Sequence, residues 1–435
     1  MSLKSLLNRL VTVRPEEISA LLISCAYFFL VLCAYYIIRP IRDEMVIANG
    51  VANIQWLILI TLVVLVAITP IFGWLTSRFK TRQFMSYCSF FFASHLIAFY
   101  FLFDVEQRSL LVSRAFYVWV NVFNMFIVSL FWSFMNDLYS RGQSKRLFAF
   151  IAAGGTAGAI CGPIITTSLV KTTGLAPLLL ISAMVLATSV LCINWLIRWH
   201  KQDFQINTNS FKPARESNQE ALKGGIFDGI TLIIKSPYLL GICGFILLYA
   251  MCITLVQIQQ AEIIEATISD PAARTRLFSS IDLAVNILTL IFQLFVTSHI
   301  IRLLGFRTTL VLIPLGITIG FGIMTTTPLL AVMIGVEIFR RAGDYSIMKP
   351  AREMLFSTVA REEKYKAKNF IDTAVLRGGN TVSALAYGGL KSLGSLGITL
   401  GGVSIALGIA WLSLAYWLGG KFEHKRQKKS HSHSQ

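Results

Sequence analysis

Runs of about 20 apolar residues recur along the whole chain of 435 residues. A run of 18 or more apolar residues is long enough to cross the hydrocarbon core of a bilayer as a helix. Irregular structure exposed to lipid is excluded, because each unpaired backbone polar group there carries a large free-energy cost. Only 14% of the residues are charged, whereas soluble domains have about 25%. The sequence therefore predicts an all-α membrane protein that crosses the bilayer many times.

Twelve transmembrane helices are predicted, six on each side of one long hydrophilic segment. The predicted spans, numbered one to twelve along the chain, are Ile18–Ile38, Ile54–Ser77, Phe84–Phe103, Ala115–Asn136, Leu147–Val170, Pro177–Trp199, Tyr238–Ile258, Leu277–Ser298, Thr309–Thr327, Leu329–Phe356, Phe370–Leu390 and Leu393–Leu418. We expect two pseudo-symmetric six-helix bundles. The expected parts are an interfacial helix at 1–17, bundles at 18–199 and 237–418, a linker with an amphipathic helix at 200–236, and a basic tail at 419–435.

The formal net charge of +17 is distributed unevenly along the chain. Lys and Arg concentrate in alternate loops, in the linker and in both terminal segments. By the positive-inside rule these segments are cytoplasmic, which places both termini inside and the protein in a bacterial inner membrane. Anionic lipid accounts for the excess charge, so no nucleic-acid partner is expected.

Catalytic and metal-binding signatures are missing from the sequence. All seven cysteines fall inside apolar spans without a Cys-x-x-Cys pair, which indicates free thiols rather than ligands or disulfides. There is no G-x-x-x-x-G-K-[ST] and no H-E-x-x-H pattern, which argues against an ATP-driven pump or a metalloprotease. We expect no enzyme activity, no cofactor and no metal site.

Predicted span ten carries a large number of ionisable side chains inside an apolar run. They are Glu337, Arg340, Arg341, Asp344, Lys349, Arg352 and Glu353. At about 100° per residue, most of them share one face, while Lys349 and Glu353 leave it. Each ionisable group near a bilayer centre costs about 2.5–3.5 kcal/mol, so this face must contact protein or a water-filled cavity. Structural ion pairs are one interpretation, but four cations against three acids favour a face that binds an anion.

Predicted span one ends in a second charged run, Tyr35–Met45. It resembles the L-R-D-T-K-D motif of the ATP/ADP translocase family, a branch of the major facilitator superfamily. Arg39 matches the arginine of that motif, Arg42 stands for its lysine and Asp43 matches its second acid, whereas Pro40 replaces the first acid. Four further segments resemble a bacterial branch often grouped with those translocases: Phe123–Ser140, Lys145–Gly155, Arg340–Phe356 and Lys366–Asn380.

Two shorter motifs resemble signatures of the major facilitator superfamily. The run from Gly73 to Arg82 resembles its loop signature G-x-x-x-D-R-x-G-R-R, with Ser77 in place of the acid and Lys80 in place of a glycine. A similarly basic segment, Thr297–Thr308, follows predicted span eight and is expected to be a loop. The G-x-x-x-G-P element that ends at Pro163 predicts close packing of span five against a neighbouring helix.

The resemblance implies a cavity lined by spans one, four, seven and ten. The implied substrate-binding residues are Arg39, Arg42, Asn121, Asn124, Gln257, Arg340 and Arg341. The implied coupling or gating ion pairs involve Asp43, Glu337, Asp344, Asp282, Arg352 and Arg377. A carboxyl group isolated in a membrane tends to be protonated, which makes Asp282 a candidate proton site.

The predicted function is secondary active transport of a small anionic organic solute by alternating access, with nucleotide exchange as one candidate. The alternative is a proton-coupled importer or exporter of another metabolite, siderophore or drug. A transporter-like sensor is a third class, but a sensor normally carries a soluble output domain, and the sequence shows none. The expected partners are the anionic substrate, protons and the lipid bilayer, and the protein is expected to act as a monomer.

Overall fold

The computed structural model describes residues 14, 17–78, 81–105, 109–207, 232–359, 367–368, 370–392 and 398–432. Every regular element in these ranges is a helix, which confirms the prediction of an all-α chain. The predicted interfacial helix within 1–17 and the amphipathic part of the 200–236 linker lie mainly outside the described residues. Lys80 of the predicted loop signature lies outside them as well.

The first half of the chain forms six long helices. They are α1 (Ile18–Ala48), α2 (Ile54–Arg78), α3 (Thr81–Val105), α4 (Leu110–Leu138), α5 (Arg141–Thr173) and α6 (Ala176–Asn207). Helix α1 continues well beyond the predicted end of span one at Ile38. The charged residues after Ile38 therefore lie inside a helix, where side chains three and four residues apart are neighbours.

The second half contains seven helices in the described residues. They are α7 (Pro237–Thr267), α8 (Pro271–Ile291), α9 (Thr297–Thr326), α10 (Leu330–Gly343), α11 (Lys349–Leu355), α12 (Leu376–Ser392) and α13 (Ile398–Ser432). The second half also contains three π-helical segments. Phe292–Val296 follows α8, Asp344–Met348 joins α10 to α11, and Ile371–Val375 precedes α12. Predicted span ten is thus helical from Leu330 to Leu355, and its hydrogen-bonding pattern changes to a π turn at Asp344.

Helix α9 corrects one prediction. The segment that was expected to be a loop, Thr297–Thr308, is helical, and the chain turns sharply inside it at Gly305. Gly305 has φ 76°, a left-handed conformation that glycine adopts without the penalty of a Cβ atom. The chain therefore changes direction at Gly305 without a separate loop.

Ten helices are long and apolar enough to cross a membrane, judged by length and composition in the described residues. The protein is thus a multi-pass membrane protein. The other two predicted spans, ten and eleven, are also helical, but the first is divided by a π segment and both carry several charged side chains.

The chain divides into two compact units. The N-terminal unit comprises Met1–Asn49, Val63–Arg215 and Ser269–Leu283, and the C-terminal unit comprises Gly50–Leu62, Glu216–Ile268 and Ala284–Gln435. The first part of α8 therefore groups with the N-terminal unit, although it comes from the second half of the sequence.

The core of the N-terminal unit is built on the packing of α5 against α1. A Cβ atom on Gly154 would lie 2.5 Å from the carbonyl oxygen of Cys25, and one on Gly162 would lie 2.8 Å from that of Cys33. These glycines allow the two backbones to touch, which confirms the close packing predicted from the G-x-x-x-G-P element. Aromatic rings pack beside this contact, where Phe28 of α1 stacks on Phe131 of α4 at 4.1 Å between ring centres.

A charged network outside the membrane spans connects the starts of α1 and α5. Glu17 accepts hydrogen bonds from Nε2 of Gln143 at 3.0 Å and from Nη2 of Arg146 at 3.2 Å. Burial raises the pKa of Glu17, but these bonds and one from the backbone of Arg14 outweigh it. The pKa of Glu17 is therefore held below its usual value.

Candidate functional site

Two arginines of α1 form the centre of a polar cluster in the N-terminal unit. Arg42 donates from Nε and Nη2 to one oxygen of Asp43, at 2.9 and 2.5 Å. Its Nη1 also reaches Oδ1 of Asn121 on α4 at 3.5 Å. Because Asp43 is the next residue along the chain, this fork is made locally and fixes the orientation of the Arg42 guanidinium.

Arg39 is held differently. Its Nη1 lies 3.7 Å from Oδ1 of Asp282 on α8, beyond the roughly 3.2 Å limit of a well-formed N–H···O hydrogen bond. Its guanidinium also lies 5.4 Å from the ring centre of Tyr36. Asp282 is only 1% exposed, so a buried carboxylate faces an arginine without the close fork seen at Arg42. We call Arg39, Arg42, Asp43, Asn121 and Asp282 the N-terminal arginine cluster.

The C-terminal unit contains a second arrangement of the same kind. Arg340 donates from Nε and Nη2 to the two oxygens of Glu337, at 2.8 and 2.7 Å. This bidentate fork is almost completely buried. Arg341 lies next to it, with Nε 3.9 Å from Oε1 of Glu337. One acid is therefore shared between two buried arginines, and only one of them has the close geometry.

Asp344 was expected to pair with these arginines, and its closest hydrogen bond is instead to a tyrosine. Oδ1 of Asp344 accepts a hydrogen bond of 2.7 Å from the hydroxyl of Tyr249 on α7. Its Oδ2 lies 4.0 Å from Nζ of Lys349. Asp344 begins the first turn of a π segment, and π segments inside helices are frequent at functional sites. We call Tyr249, Glu337, Arg340, Arg341 and Asp344 the C-terminal arginine cluster.

The predicted charged face of this region agrees with the observed burial. Glu337, Arg340, Arg341 and Asp344 are all buried, whereas Lys349 and Glu353 are exposed. Helical spacing predicted that Lys349 and Glu353 lie off the charged face, and their exposure confirms that prediction.

A further ion pair connects α11 to the π segment before α12. Nη2 of Arg352 lies 3.4 Å from Oδ1 of Asp372. Arg377, the other cation predicted for gating, lies on α12 one turn after that segment and is partly buried. The structure places Arg352 and Asp372 together, a pairing that the sequence did not predict.

Two predicted substrate-binding residues lie outside both clusters. Asn124 on α4 is partly buried and Gln257 on α7 is exposed. Neither makes a polar side-chain contact with another residue of the described part of the chain. Their role in binding stays a prediction.

Sequence reasoning missed Tyr249 and the pair formed by Glu44 and Arg274. Glu44 on α1 is completely buried, and its Oε1 lies 3.9 Å from Nη1 of Arg274 on α8. Glu44 follows Asp43 directly, so the run Tyr35–Met45 did contain a signal. Tyr249 lies in an otherwise apolar stretch of sequence. Tyrosines that only pack in a core lie in similar stretches, so the pattern gave no signal for a functional role.

The two clusters share one chemical property. In each unit one arginine is fixed by a close fork to an acid, Arg42 to Asp43 and Arg340 to Glu337. A second arginine lies 3.7 Å from an acid in the N-terminal cluster and 3.9 Å from one in the C-terminal cluster. Each cluster thus presents planar guanidinium groups, which suit the oxygens of a phosphate or a carboxylate.

Comparison with known proteins shows which proteins this chain is similar to. The sequence profile of the TLC ATP/ADP transporter family matches residues 111–324. This chain resembles the ATP/ADP transporters. The resemblance predicted from the charged run of α1 is thereby confirmed, and the family is one of membrane transporters rather than enzymes.

Individual relatives support the same assignment at low sequence identity. ADP,ATP carrier protein 1 of Chlamydia trachomatis is 24% identical over 344 residues, which cover 71% of this chain and 65% of that protein. The plastidic ATP/ADP-transporter of Solanum tuberosum is 24% identical over 356 residues, covering 72% of this chain and 54% of that protein. The chain thus spans less than two thirds of the length of these ATP/ADP transporters.

Solved structures with a similar fold are transporters of the major facilitator superfamily. A nucleoside transporter superposes with a TM-score of 0.64 at 14% identity and covers 93% of this chain and 99% of its own. An inward-facing bacterial homologue of the iron transporter ferroportin gives a TM-score of 0.63 at 15% identity, covering 92% of this chain and 98% of its own. At such low identity these similarities concern the fold alone.

Proposed function

We propose that this protein is a secondary transporter that exchanges adenine nucleotides across a bacterial inner membrane. The proposal includes twelve spans in two six-helix bundles, alternating access, cytoplasmic termini and a monomeric state. Support comes from the match to the ATP/ADP transporter family and from relatives named as ADP,ATP carriers. A nucleotide is a small anionic organic solute, the substrate class that the excess of cations in span ten favours.

The observation that carries the proposal is the pair of arginines beside buried acids in each cluster. Arg39 lies 3.7 Å from Asp282, and Arg341 lies 3.9 Å from Glu337. In the proposed cycle a nucleotide phosphate replaces these acids as the partner of each guanidinium. Arg42 and Arg340 keep their close forks and hold the local geometry. The proposal also assigns Asp282, displaced from Arg39, as the site of a coupled proton.

The proposal is tested on purified protein with ATP and ADP as ligands. We expect Arg39→Ala and Arg341→Ala each to weaken nucleotide binding by about 2 kcal/mol, or roughly 30-fold in Kd, because a charged partner is lost. Arg→Lys should restore binding only in part, since a lysine lacks the planar fork. Binding is measured by calorimetry, and exchange by uptake of labelled ATP into proteoliposomes loaded with ADP.

Arg114→Ala is the matched control. Arg114 is a partly buried arginine of α4 whose Nε donates to Asn49 Oδ1 at 3.1 Å, so its loss removes an arginine hydrogen bond outside the two clusters. This variant should bind nucleotide like the natural protein. Folded Arg39→Ala and Arg341→Ala variants with unchanged affinity would show that these arginines are structural. A protein that binds no nucleotide but takes up another metabolite would support the alternative of a proton-coupled importer or exporter.

A further inference from the structure

Arg307 is held in an unusually defined position at the corner of α9. Its backbone N–H donates to Oε1 of Glu423 at 3.1 Å, and its Nε donates to the carbonyl oxygen of Tyr416 at 3.2 Å. The guanidinium carbon lies only 3.4 Å from the centre of the Tyr416 ring. Hydrogen bonds and a cation–π contact therefore fix this side chain along α13.

Two adjacent glycines of α13 make room for this arrangement. A Cβ atom on Gly419 would lie 2.8 Å from Cα of Arg307, and one on Gly420 would lie 3.5 Å from the guanidinium carbon. Beside them, the buried rings of Phe306 and Phe422 stand 4.1 Å apart and anchor the corner. The site is thus built from two helices packed in direct contact.

The surface around Arg307 combines cations with exposed apolar side chains. Leu303, Leu304, Tyr416 and Trp417 are 77%, 48%, 56% and 40% exposed. The ammonium of Lys421 lies over the Trp417 ring, 5.9 Å from its centre. Tyrosine and tryptophan beside lysine and arginine are typical of the level at which lipid headgroups meet the hydrocarbon core.

The surrounding charge is strongly positive. Arg302 on α9 and Lys421, Lys425 and Arg426 on α13 are exposed cations of the two helices that meet here, and Lys425 lies over the Tyr238 ring of α7. The acid Glu423 uses Oε1 to accept the backbone N–H of Arg307. A cationic surface of this kind attracts anionic lipids, with a contribution of about 1 kcal/mol from each Lys or Arg near the membrane.

We propose that this corner is a binding site for an anionic phospholipid. The phosphate accepts hydrogen bonds from the terminal nitrogens of Arg307, whose Nε is already bonded to Tyr416, and Lys421 adds a second positive charge. The acyl chains lie along the exposed leucines Leu303 and Leu304. A soluble phosphate would satisfy the guanidinium but would leave these apolar side chains without a partner, so the amphiphile is the ligand that fits both parts. The proposal is independent of the transported substrate.

The test is a thermal-shift titration of the full-length protein in a neutral detergent with phosphatidylglycerol, phosphatidylcholine or inorganic phosphate. We expect phosphatidylglycerol to raise the melting temperature at lower concentration than phosphatidylcholine, and inorganic phosphate to have no comparable effect. Arg307→Ala should raise the half-maximal phosphatidylglycerol concentration about five-fold or more, as expected for the loss of a cation at a headgroup. Arg198→Ala is the control, because Arg198 is an exposed arginine of α6 in the N-terminal unit with no aromatic platform.

A second variant keeps the test decisive if Arg307→Ala does not fold. Tyr416→Leu retains the charge but removes the ring that positions it, and should weaken the response to phosphatidylglycerol by a smaller factor. The proposal is overturned if the folded Arg307 or Tyr416 variant titrates like the natural protein. It is equally overturned if phosphatidylcholine or inorganic phosphate stabilises the natural protein as well as phosphatidylglycerol does.

Discussion

The two units hold their central helices together by different means. In the N-terminal unit α5 touches α1 through glycines, and the carbonyl oxygen of Cys25 lies where a side chain on Gly154 would have to stand. In the C-terminal unit the centre is a set of buried charged groups on α10 and the π segment that follows it. There a side-chain hydrogen bond joins Tyr249 of α7 to Asp344, next to the fork that Arg340 makes to Glu337 within α10 itself.

This difference indicates how each unit can respond to a ligand. Because the backbones of α1 and α5 touch, the distance between the two helices is fixed, and they can move only together. A contact through side chains such as Tyr249 and Asp344 can be rearranged, because the two side chains can change partners while the backbones stay apart. We infer that the C-terminal unit is the more adaptable of the two, and the following predictions test this comparison.

The largest expected effect is the loss of stability on breaking the close fork of α10. Arg340→Ala leaves Glu337 buried beside Arg341, whose Nε is 3.9 Å away. Removing one member of a buried pair costs about 3–5 kcal/mol. The melting temperature without ligand should therefore fall much further in Arg340→Ala than in Arg341→Ala, while nucleotide affinity should fall further in Arg341→Ala. Equal losses of stability in the two variants would contradict the distinction between Arg340, which makes the close fork to Glu337, and Arg341, which lies 3.9 Å from it.

A smaller effect is expected from adding one methyl group between α1 and α5. Gly154→Ala would place a Cβ atom 2.5 Å from the carbonyl oxygen of Cys25, and such overpacking costs about 1–3 kcal/mol. Gly335→Ala on α10 is the matched control, because nothing lies within 4 Å of its Cβ position. That control should be neutral or stabilising by up to about 1 kcal/mol, since alanine favours a helix over glycine. If both variants melt at the same temperature, the backbone contact does not determine the separation of α1 and α5.

The smallest expected effect on stability comes from the network at Glu17. This network shows that the N-terminal unit also contains paired charged side chains, but outside the membrane spans. The folded pKa of Glu17 lies below its usual value, so its contribution to stability is fully present above the unfolded pKa of about 4.3. It is lost as the pH falls through the lower folded value. The contribution should stay below about 1 kcal/mol, because Arg146 is partly exposed. Glu17→Gln should therefore lower the melting temperature slightly at pH 7. It should also reduce the difference between the melting temperatures at pH 7 and pH 4. An unchanged difference would exclude this role of Glu17.

Several parts of the molecule could be predicted from local sequence. Apolar runs located most of the helices, the 100° helical spacing separated buried Glu337 and Asp344 from exposed Lys349 and Glu353, and glycine spacing predicted the contact of α5. Each of these features depends on residues close together in one helix. Periodicity within a single segment was enough to find them.

Other parts depend on contacts between distant segments. The approach of Asp282 to Arg39 and of Tyr249 to Asp344 is decided by how whole helices pack, which one sequence does not encode locally. The continuation of α1 past Ile38 was missed because charged residues resemble the end of a span. They remain helical because Arg42 finds Asp43 and Asn121 as partners.

The π segment Asp344–Met348 has a consequence for how this chain tolerates changes in length. Its hydrogen bonds run from residue i to i+5 instead of i+4, so it holds one more residue than an α-helical turn over the same distance. Deleting one of its five residues would allow α10 and α11 to join as a regular helix. Four residues of an α-helix cover nearly the same rotation as the five of the π segment, so every later side chain would keep its face and Arg352 would still face Asp372. The segment is therefore a place where a single-codon deletion would leave both the helix and the face of its later residues unchanged.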